Sequence, residues 1–191
     1  MPASSFVRGG GLAALAAALP LVAPAVAGAA TVSSPPSVSQ PYCSTHELTP
    51  EQLAAGETSE ITCYSTLSDS LRAVGVDAPK GAGVDSLVGT QVAASGIAAV
   101  HYKASGGTGE YLSVAGDGCD GGGISFSAGD SWNDTIASTR HRLCSQVKHY
   151  SDNDYTGSIQ TTNGGNGALV PMNSALSRQV SAIRYLGSMN P

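Results

Sequence analysis

One phrase occurs twice in this chain. Residues 101–109 read His101-Tyr102-Lys103-Ala104-Ser105-Gly106-Gly107-Thr108-Gly109, and residues 149–157 read His149-Tyr150-Ser151-Asp152-Asn153-Asp154-Tyr155-Thr156-Gly157. Both have the form His-Tyr, five residues, Thr-Gly, and they stand 48 positions apart. Self-similarity at such a spacing marks a repeated supersecondary unit, so any fold assigned to the chain must contain two copies of it.

The agreement runs beyond the phrase. At the same offset, Ser113 and Gly116 fall on Thr161 and Gly164. Cys119 and its neighbours then read as a four-residue insertion in the first copy. At an offset of 44, Gly123-Ile124-Ser125-Phe126 falls on Gly167-Ala168-Leu169-Val170, Trp132 on Leu176, Ile136 on Val180 and Arg140 on Arg184. Each unit is about 40 residues long, roughly 98–140 and 145–187. Short β-branched or aromatic runs at 97–102, 110–114, 146–150, 157–161 and 181–186 are separated by Gly, Asn and Asp clusters, which predicts strands joined by turns. Two units of about four strands each give an all-β core, an antiparallel β-sandwich with Greek-key connections.

The remainder of the chain has a different grammar. Residues 1–30 have the layout of a signal peptide: Arg8 in a positive leader, a short apolar run from Leu12 to Val22, and a small-residue site at Ala27-Gly28-Ala29, with a cut after Ala30 as the near alternative. A retained anchor is the competing reading, but no second apolar run reaches the roughly 18 residues of a membrane span. Residues 31–42 form a Ser/Pro-rich linker. In the segment 43–96, Thr49-Pro50-Glu51-Gln52 predicts a short capped helix ending near Gly56. A second helix is expected from Ser65 or Thr66 through Leu67, Leu71 and Val74 to Gly75, and a helical turn around Asp85 to Val92. This small, partly helical segment is either a propeptide or a retained part of the protein, and residues 97–187 form the main domain.

An exported chain with four cysteines is expected to hold them as disulfides. Three pairings are possible. Cys43–Cys63 with Cys119–Cys144 is favoured because each bond then closes a loop inside one region, worth about 3 kcal/mol on a chain-entropy view. No Cys-x-x-Cys spacing supports zinc. Without the leader the balance is 8 basic against 14 acidic residues. With no basic stripe, nucleic acid and anionic membrane are poor partners. A monomer is expected.

Tyr150 to Gly157 has the form aromatic, four residues, aromatic, any residue, glycine. That resembles the Greek-key signature of the βγ-crystallin superfamily, in which the glycine adopts a left-handed conformation and a ring covers the folded hairpin. Tyr150, Tyr155 and Gly157 complete it. The first unit keeps Tyr102 and Gly109 but has Gly107 in place of the second aromatic, which predicts a looser corner. Within that superfamily the chain resembles small exported actinobacterial proteins related to the streptomycete metalloproteinase inhibitor. The supporting residues are the paired His-Tyr, Cys119 followed by Gly121-Gly122-Gly123, and Trp132-Asn133-Asp134 leading to Ser138-Thr139. The resemblance implies a two-disulfide, crystallin-like fold.

It also implies a place to look for calcium. Many microbial members bind Ca2+ through Asn/Asp-Asn/Asp-x-x-Ser/Thr-Ser in each unit, and oxygen donors suit a hard cation. Here the first unit offers Asn133-Asp134-Thr135-Ile136-Ala137-Ser138 and the second Ser177-Arg178-Gln179-Val180-Ser181-Ala182. One weak site is expected from Asp134, the Gln179 carbonyl and Ser181, with Asn133 beside it. The opposite pairing, Arg178 with Ala137, offers no side-chain oxygen. The bland alternative makes both loops turns, with Asn133 capping and Ser138 bonding the backbone. No cofactor is required.

Catalysis is not expected. His101 and His149 occupy equivalent repeat positions, which points to packing; His46 lies near the linker, and His141, between Arg140 and Arg142, is expected at the solvated surface. No Gly-x-Ser-x-Gly elbow is present, and Asp117, Asp120 and Asp130 sit in Gly-rich stretches where turn duty is usual. The expected function is a secreted binding protein, most concretely an inhibitor of a secreted metalloproteinase, with segments 116–123 and 163–168 as exposed contact loops. A calcium-binding structural or stress-related extracellular protein is the alternative; a toxin-like antifungal role is a third with no residue in its favour.

Overall fold

The computed structural model describes residues 42–77, 83, 96–116 and 119–188, all within one unit spanning Val38–Pro191. The signal peptide, most of the Ser/Pro linker and the expected turn at 85–92 lie outside the described residues.

Among the described residues ten strands and two short helices follow one another: β1 Tyr42–His46, α1 Pro50–Ala54, β2 Thr62–Tyr64, α2 Leu67–Ala73, β3 Ile97–Tyr102, β4 Tyr111–Ala115, β5 Asp120–Ser125, β6 Ser138–His141, β7 Cys144–Tyr150, β8 Ile159–Asn163, β9 Val170–Pro171 and β10 Ala182–Ser188. They form a six-stranded sheet in the order β2-β1-β4-β3-β6-β9 and a four-stranded sheet in the order β5-β10-β7-β8. Each unit gives three strands to one sheet and sends its third strand to the other: β5 pairs with β10, and β9 pairs with β6. The result is the expected sandwich of two Greek keys. Every pairing is antiparallel except that of β1 with β4.

The register corrects the repeat alignment. Ile124 stands opposite Ile183 on β10, whereas its counterpart opposite Thr139 on β6 is Val170, an offset of 46. Phe126 N–H bonds the Ser181 carbonyl and Met172 N–H bonds that of Ala137, again 46 apart. The offset of 44 holds only from the following turns onward. The loop between the second and third strands of a unit and the loop after its third strand thus absorb length separately, and a single gap in a Gly-rich stretch cannot show that.

Gly121-Gly122-Gly123 is also not the exposed loop expected from composition. It is buried strand β5, pressed between β10 and the segment before α1, where Leu48 and Gly123 exchange backbone hydrogen bonds of 2.8 and 2.9 Å. A Cβ on Gly123 would lie 2.0 Å from the Ile183 carbonyl oxygen, so glycine is what allows the strand to approach this closely.

The segment before residue 97 adds strands as well as helices. Thr49 caps α1 with the expected reciprocal box, Gln52 N–H to Thr49 Oγ1 and Thr49 N–H to Gln52 Oε1. Thr66 caps α2. β1 then runs parallel to β4 over five residue pairs, a non-local pairing that no sequence period announces. Cys43 stands directly opposite Cys63 across β1 and β2 and is bonded to it; Cys119 is bonded to Cys144, tying the entry of β5 to the start of β7.

Two apolar layers follow from this arrangement. Trp132, Phe126, Ile124, Ile136, Leu176, Ile183 and Tyr185 are buried in the main core. A second cluster joins Leu71, Val74 and Val76 to Val100, Tyr102 and Tyr111. On β3, Ala99 belongs to the first layer and Val100 to the second, so all six residues of β3 and all five of β4 are buried. That is why these strands read as continuous runs rather than as an alternation.

The two hairpin corners share a backbone. Tyr155 and Gly107, 48 apart, have φ of 64° and 69°, and Gly157 and Gly109 have 72° and 81°. In the second unit Tyr155 meets the Tyr150 ring edge-on at 5.5 Å, and the Arg184 guanidinium lies 4.3 Å from its ring centre. In the first unit the Leu169 side chain takes the space over Gly107, and Ser138 Oγ bridges the corner, accepting from Gly107 N–H and donating to the Ala104 carbonyl. Gly157→Ala places a Cβ at a left-handed φ, 2.2 Å from Ser151 Oγ. It is expected to lower stability by about 1–2 kcal/mol, read as a shift in the urea midpoint at unchanged slope.

Candidate functional site

The loops after the third strands, 131–137 and 174–181, meet with local twofold symmetry. Asp134 N–H bonds the Val180 carbonyl at 3.1 Å and Arg178 N–H bonds the Ile136 carbonyl at 2.9 Å. Ala137 N–H reaches Tyr102 O and Ser181 N–H reaches Tyr150 O, 2.8 and 2.9 Å. Asp134 and Arg178 are both left-handed, with φ of 56° and 61°. Trp132 and Leu176, fully buried at equivalent positions, anchor the two turns in the core. The Asp130 carboxylate accepts from Trp132 N–H at 2.7 Å, and the Asn173 side-chain oxygen accepts from Leu176 N–H at 3.0 Å. Asp130 thus has the expected turn duty, whereas Asp120 accepts from Gly122 N–H as the first residue of strand β5 rather than from within a loop. Asp117 lies outside the described residues.

The side chains break this symmetry. Ser181 Oγ donates to Asp134 Oδ1 at 3.1 Å, and Asn133 Nδ2 donates to Asp134 Oδ2 at 2.9 Å. Ser181, 47 residues on, is thereby joined to the neighbours Asn133 and Asp134. Gln179 is exposed in the same loop, its N–H bonded to the Leu176 carbonyl. At the opposite position stand Arg178, exposed, and Ala137, buried. A cleft of about 340 Å3 beside Asn133 and Ser181 is lined in addition by Phe126 and by Ser151, Asp152, Asn153 and Asp154 of the second hairpin corner. Those corner residues were not singled out from sequence, because only the fold lays a hairpin corner from one part of the unit beside a loop from another. Asp152 and Asp154 already accept hydrogen bonds from the Thr156 hydroxyl. Tyr155 closes the corner. Burial, opposed by the Arg184 guanidinium, pushes its hydroxyl up to about 12, so at neutral pH it is an uncharged ring beneath a cation.

The donor set is all oxygen. Asn133 Oδ1 is a buried acceptor with no hydrogen-bond partner, which fits a cation at this place. Among the described residues no group of three or more His, Cys, Asp or Glu could hold a metal, so neutral oxygens would make up much of the donor set around Asp134. Few charged ligands mean weak affinity.

The histidines lie elsewhere. His46 is exposed at the end of β1. His101 and His149 are fully buried, their rings 5.7 Å apart and edge to face. His141 is also buried at 3% exposure, correcting the expectation of a solvated side chain between two arginines. On β6 the alternation of strand faces turns Arg140 away from the side His141 takes, and Arg142 lies in the bend beyond the end of the strand. None of the three imidazoles is placed to meet a substrate from solvent.

No protein-family model matches the chain, and no curated protein matches it. Among solved structures it is similar to the crystal structure of a βγ-crystallin domain from Flavobacterium johnsoniae, 21% identical, with a TM-score of 0.35, covering 49% of this chain and 99% of that chain. The two-unit Greek-key arrangement stands on the strand register of this chain rather than on that likeness. No helix among the described residues is long and apolar enough to cross a membrane.

Arg178 holds a left-handed backbone without the local side-chain bonding that suits Asp or Asn there. Arg178→Gly is expected to stabilise the protein by about 1 kcal/mol, measured by chemical denaturation.

Proposed function

We propose that this is an extracellular, non-catalytic binding module whose one complete loop pair takes a calcium ion weakly. The observation that carries the reading is the Asp134–Ser181 hydrogen bond beside the unpartnered Asn133 oxygen. Asp134, Ser181, Asn133 and the Gln179 carbonyl would supply hard oxygen ligands at one of two symmetric positions. Arg178 and Ala137 leave the other without counterparts to the Asp134 carboxylate and the Ser181 hydroxyl. Two disulfides support an oxidising compartment.

Calorimetric titration with CaCl2 tests this. The expected result is one site per molecule, with affinity in the range of weak extracellular sites, about 10⁻⁴–10⁻³ M, and no detectable heat for Asp134→Ala. Absence of heat in the wild-type protein ends the calcium reading.

A second reading is inhibition of a secreted metalloproteinase. It is favoured by the Cys119–Cys144 bond, which pins the entry of β5, and by the exposed turn at Gly164, anchored through its N–H to the Ser145 carbonyl at 2.9 Å. Rigid, covalently anchored surface is what an inhibitor needs to keep its binding cost low. Slowed hydrolysis by a thermolysin-type protease at micromolar protein is the expected result on this reading; full protease activity at that concentration rules it out.

A further inference from the structure

Three imidazoles lie in the interior between the two sheets. His101 on β3 and His141 on β6 belong to the six-stranded sheet; His149 on β7 belongs to the four-stranded one. His101 Nε2 and Tyr185 Oη are 2.8 Å apart, and His141 Nε2 and Thr162 Oγ1 are 2.9 Å apart. Both contacts run from an imidazole of one sheet to a hydroxyl of the other, on β10 and β8. The Cys144 carbonyl, 3.3 Å from His141 Nδ1, can only accept, so that nitrogen carries a proton. Thr162 Oγ1 also lies 3.2 Å from the Val147 carbonyl, so its single proton serves either that carbonyl or His141 Nε2. Imidazole–hydroxyl contacts thus join the sheets at two places, and His101 and His149 meet ring to ring at the centre.

The centre of this interior does not accommodate a cation on His101. His101 Nδ1 is buried without a hydrogen-bond partner, so whichever tautomer faces Tyr185, a second proton on the ring leaves one buried N–H unpaired. The other titratable groups around the cluster are Tyr185 on β10, with Glu47 after β1 and Tyr155 of the second corner acting on the Tyr185 hydroxyl. The charges that act on His101 and His149 are those of other imidazoles.

We propose that the His101–His141–His149 cluster is a built-in acid switch: proton uptake by these core imidazoles parts the two sheets, so that the module opens in mildly acidic surroundings. The protonation energetics agree with the geometry. Burial, then the neighbouring imidazoles, hold His101 well below the ordinary range; burial, then His141, pushes His149 down to about 3; burial also lowers His141, against its bond to the Cys144 carbonyl. These rings are neutral in the folded state and titrate near 6.5 in the unfolded chain. Stability is therefore complete above about pH 6.5 and falls as the pH drops below it. A ring that stays neutral in the folded state, as His149 does down to about 3, lowers the ratio of folded to unfolded protein about tenfold per pH unit below 6.5, and His101 acts in the same direction. Two pH units then give about a hundredfold from His149 alone, about 2.8 kcal/mol at 1.4 kcal/mol per tenfold, a large share of a domain's stability of about 5–15 kcal/mol.

The test follows Trp132 fluorescence and the histidine ring resonances of the full-length protein from pH 7.5 to 3.5 without calcium. The expected result is a reversible, cooperative opening with a midpoint between about pH 6 and pH 4, uptake of more than one proton, and ring signals of the folded form that stay neutral until it opens. His149→Leu, unable to take a proton, is expected to keep the fold to lower pH. A midpoint outside that window overturns the proposal, since ordinary carboxylates titrate at about 3.9–4.3 and would open the protein only lower down. An unchanged midpoint in His149→Leu overturns it as well. If that variant does not fold at neutral pH, the wild-type resonances decide: rings that titrate near pH 6.5 while the protein stays folded defeat the switch.

Discussion

The exchange of third strands between the two units is the constraint on which the remaining features depend. β5 leaves its own unit to pair with β10, and β9 returns the favour against β6. Because each sheet is completed by the other unit, neither unit can bury its apolar face alone, and the two loops that follow the exchanged strands are forced together. That contact produces the reciprocal hydrogen bonds between Asp134 and Val180 and between Arg178 and Ile136. It places Ser181 on Asp134 and seats Trp132 and Leu176 in one core. The close approach of β5 to β10 needs Gly123, so a glycine-rich stretch that suggests flexibility is a condition of tight packing.

The segment before residue 97 is built onto this frame. β1 extends the larger sheet in parallel with β4, the Cys43–Cys63 bond holds β2 to it, and α2 lays Leu71 and Val74 over Val100, Tyr102 and Tyr111. The larger sheet is covered on both faces, the smaller one less completely, where Arg184 lies over Tyr155. The covering layer explains how a chain with few aromatic residues assembles two apolar clusters: Tyr42, Tyr102 and Tyr111 pack at ring separations of 5.1 and 6.3 Å in one, while Phe126, Trp132 and Tyr185 fill the other.

The polar interior has the same origin as the site on the surface. Both arise where equivalent positions of the two units meet across the local twofold, and in both the copies have diverged. On the surface, divergence left Asp134 opposite an arginine position. In the core, the counterparts His141 and Tyr185, 44 apart, bond different partners: His141 takes Thr162, and Tyr185 takes His101. A duplicated fold thus offers paired sites that need not stay alike.

Local chemistry was legible in the sequence. The duplication, five of the strands, both helix caps and the hairpin glycines follow from backbone rules that act over a few residues, and Thr49, Thr66, Gly109 and Gly157 carry those rules in their side chains or lack of one. The residues Asn133, Asp134 and Ser181 could be nominated because repeat arithmetic compares positions without needing contacts. Tertiary structure alone decided the rest. That Gly121-Gly122-Gly123 is a strand, that β1 joins β4, that Asp152 and Asp154 border the same cleft as Ser181, and that His141 faces inward all depend on pairings between residues far apart in the chain. The physical reason is that such pairings are selected by the burial of whole faces, and a face exists only once both sheets are in place.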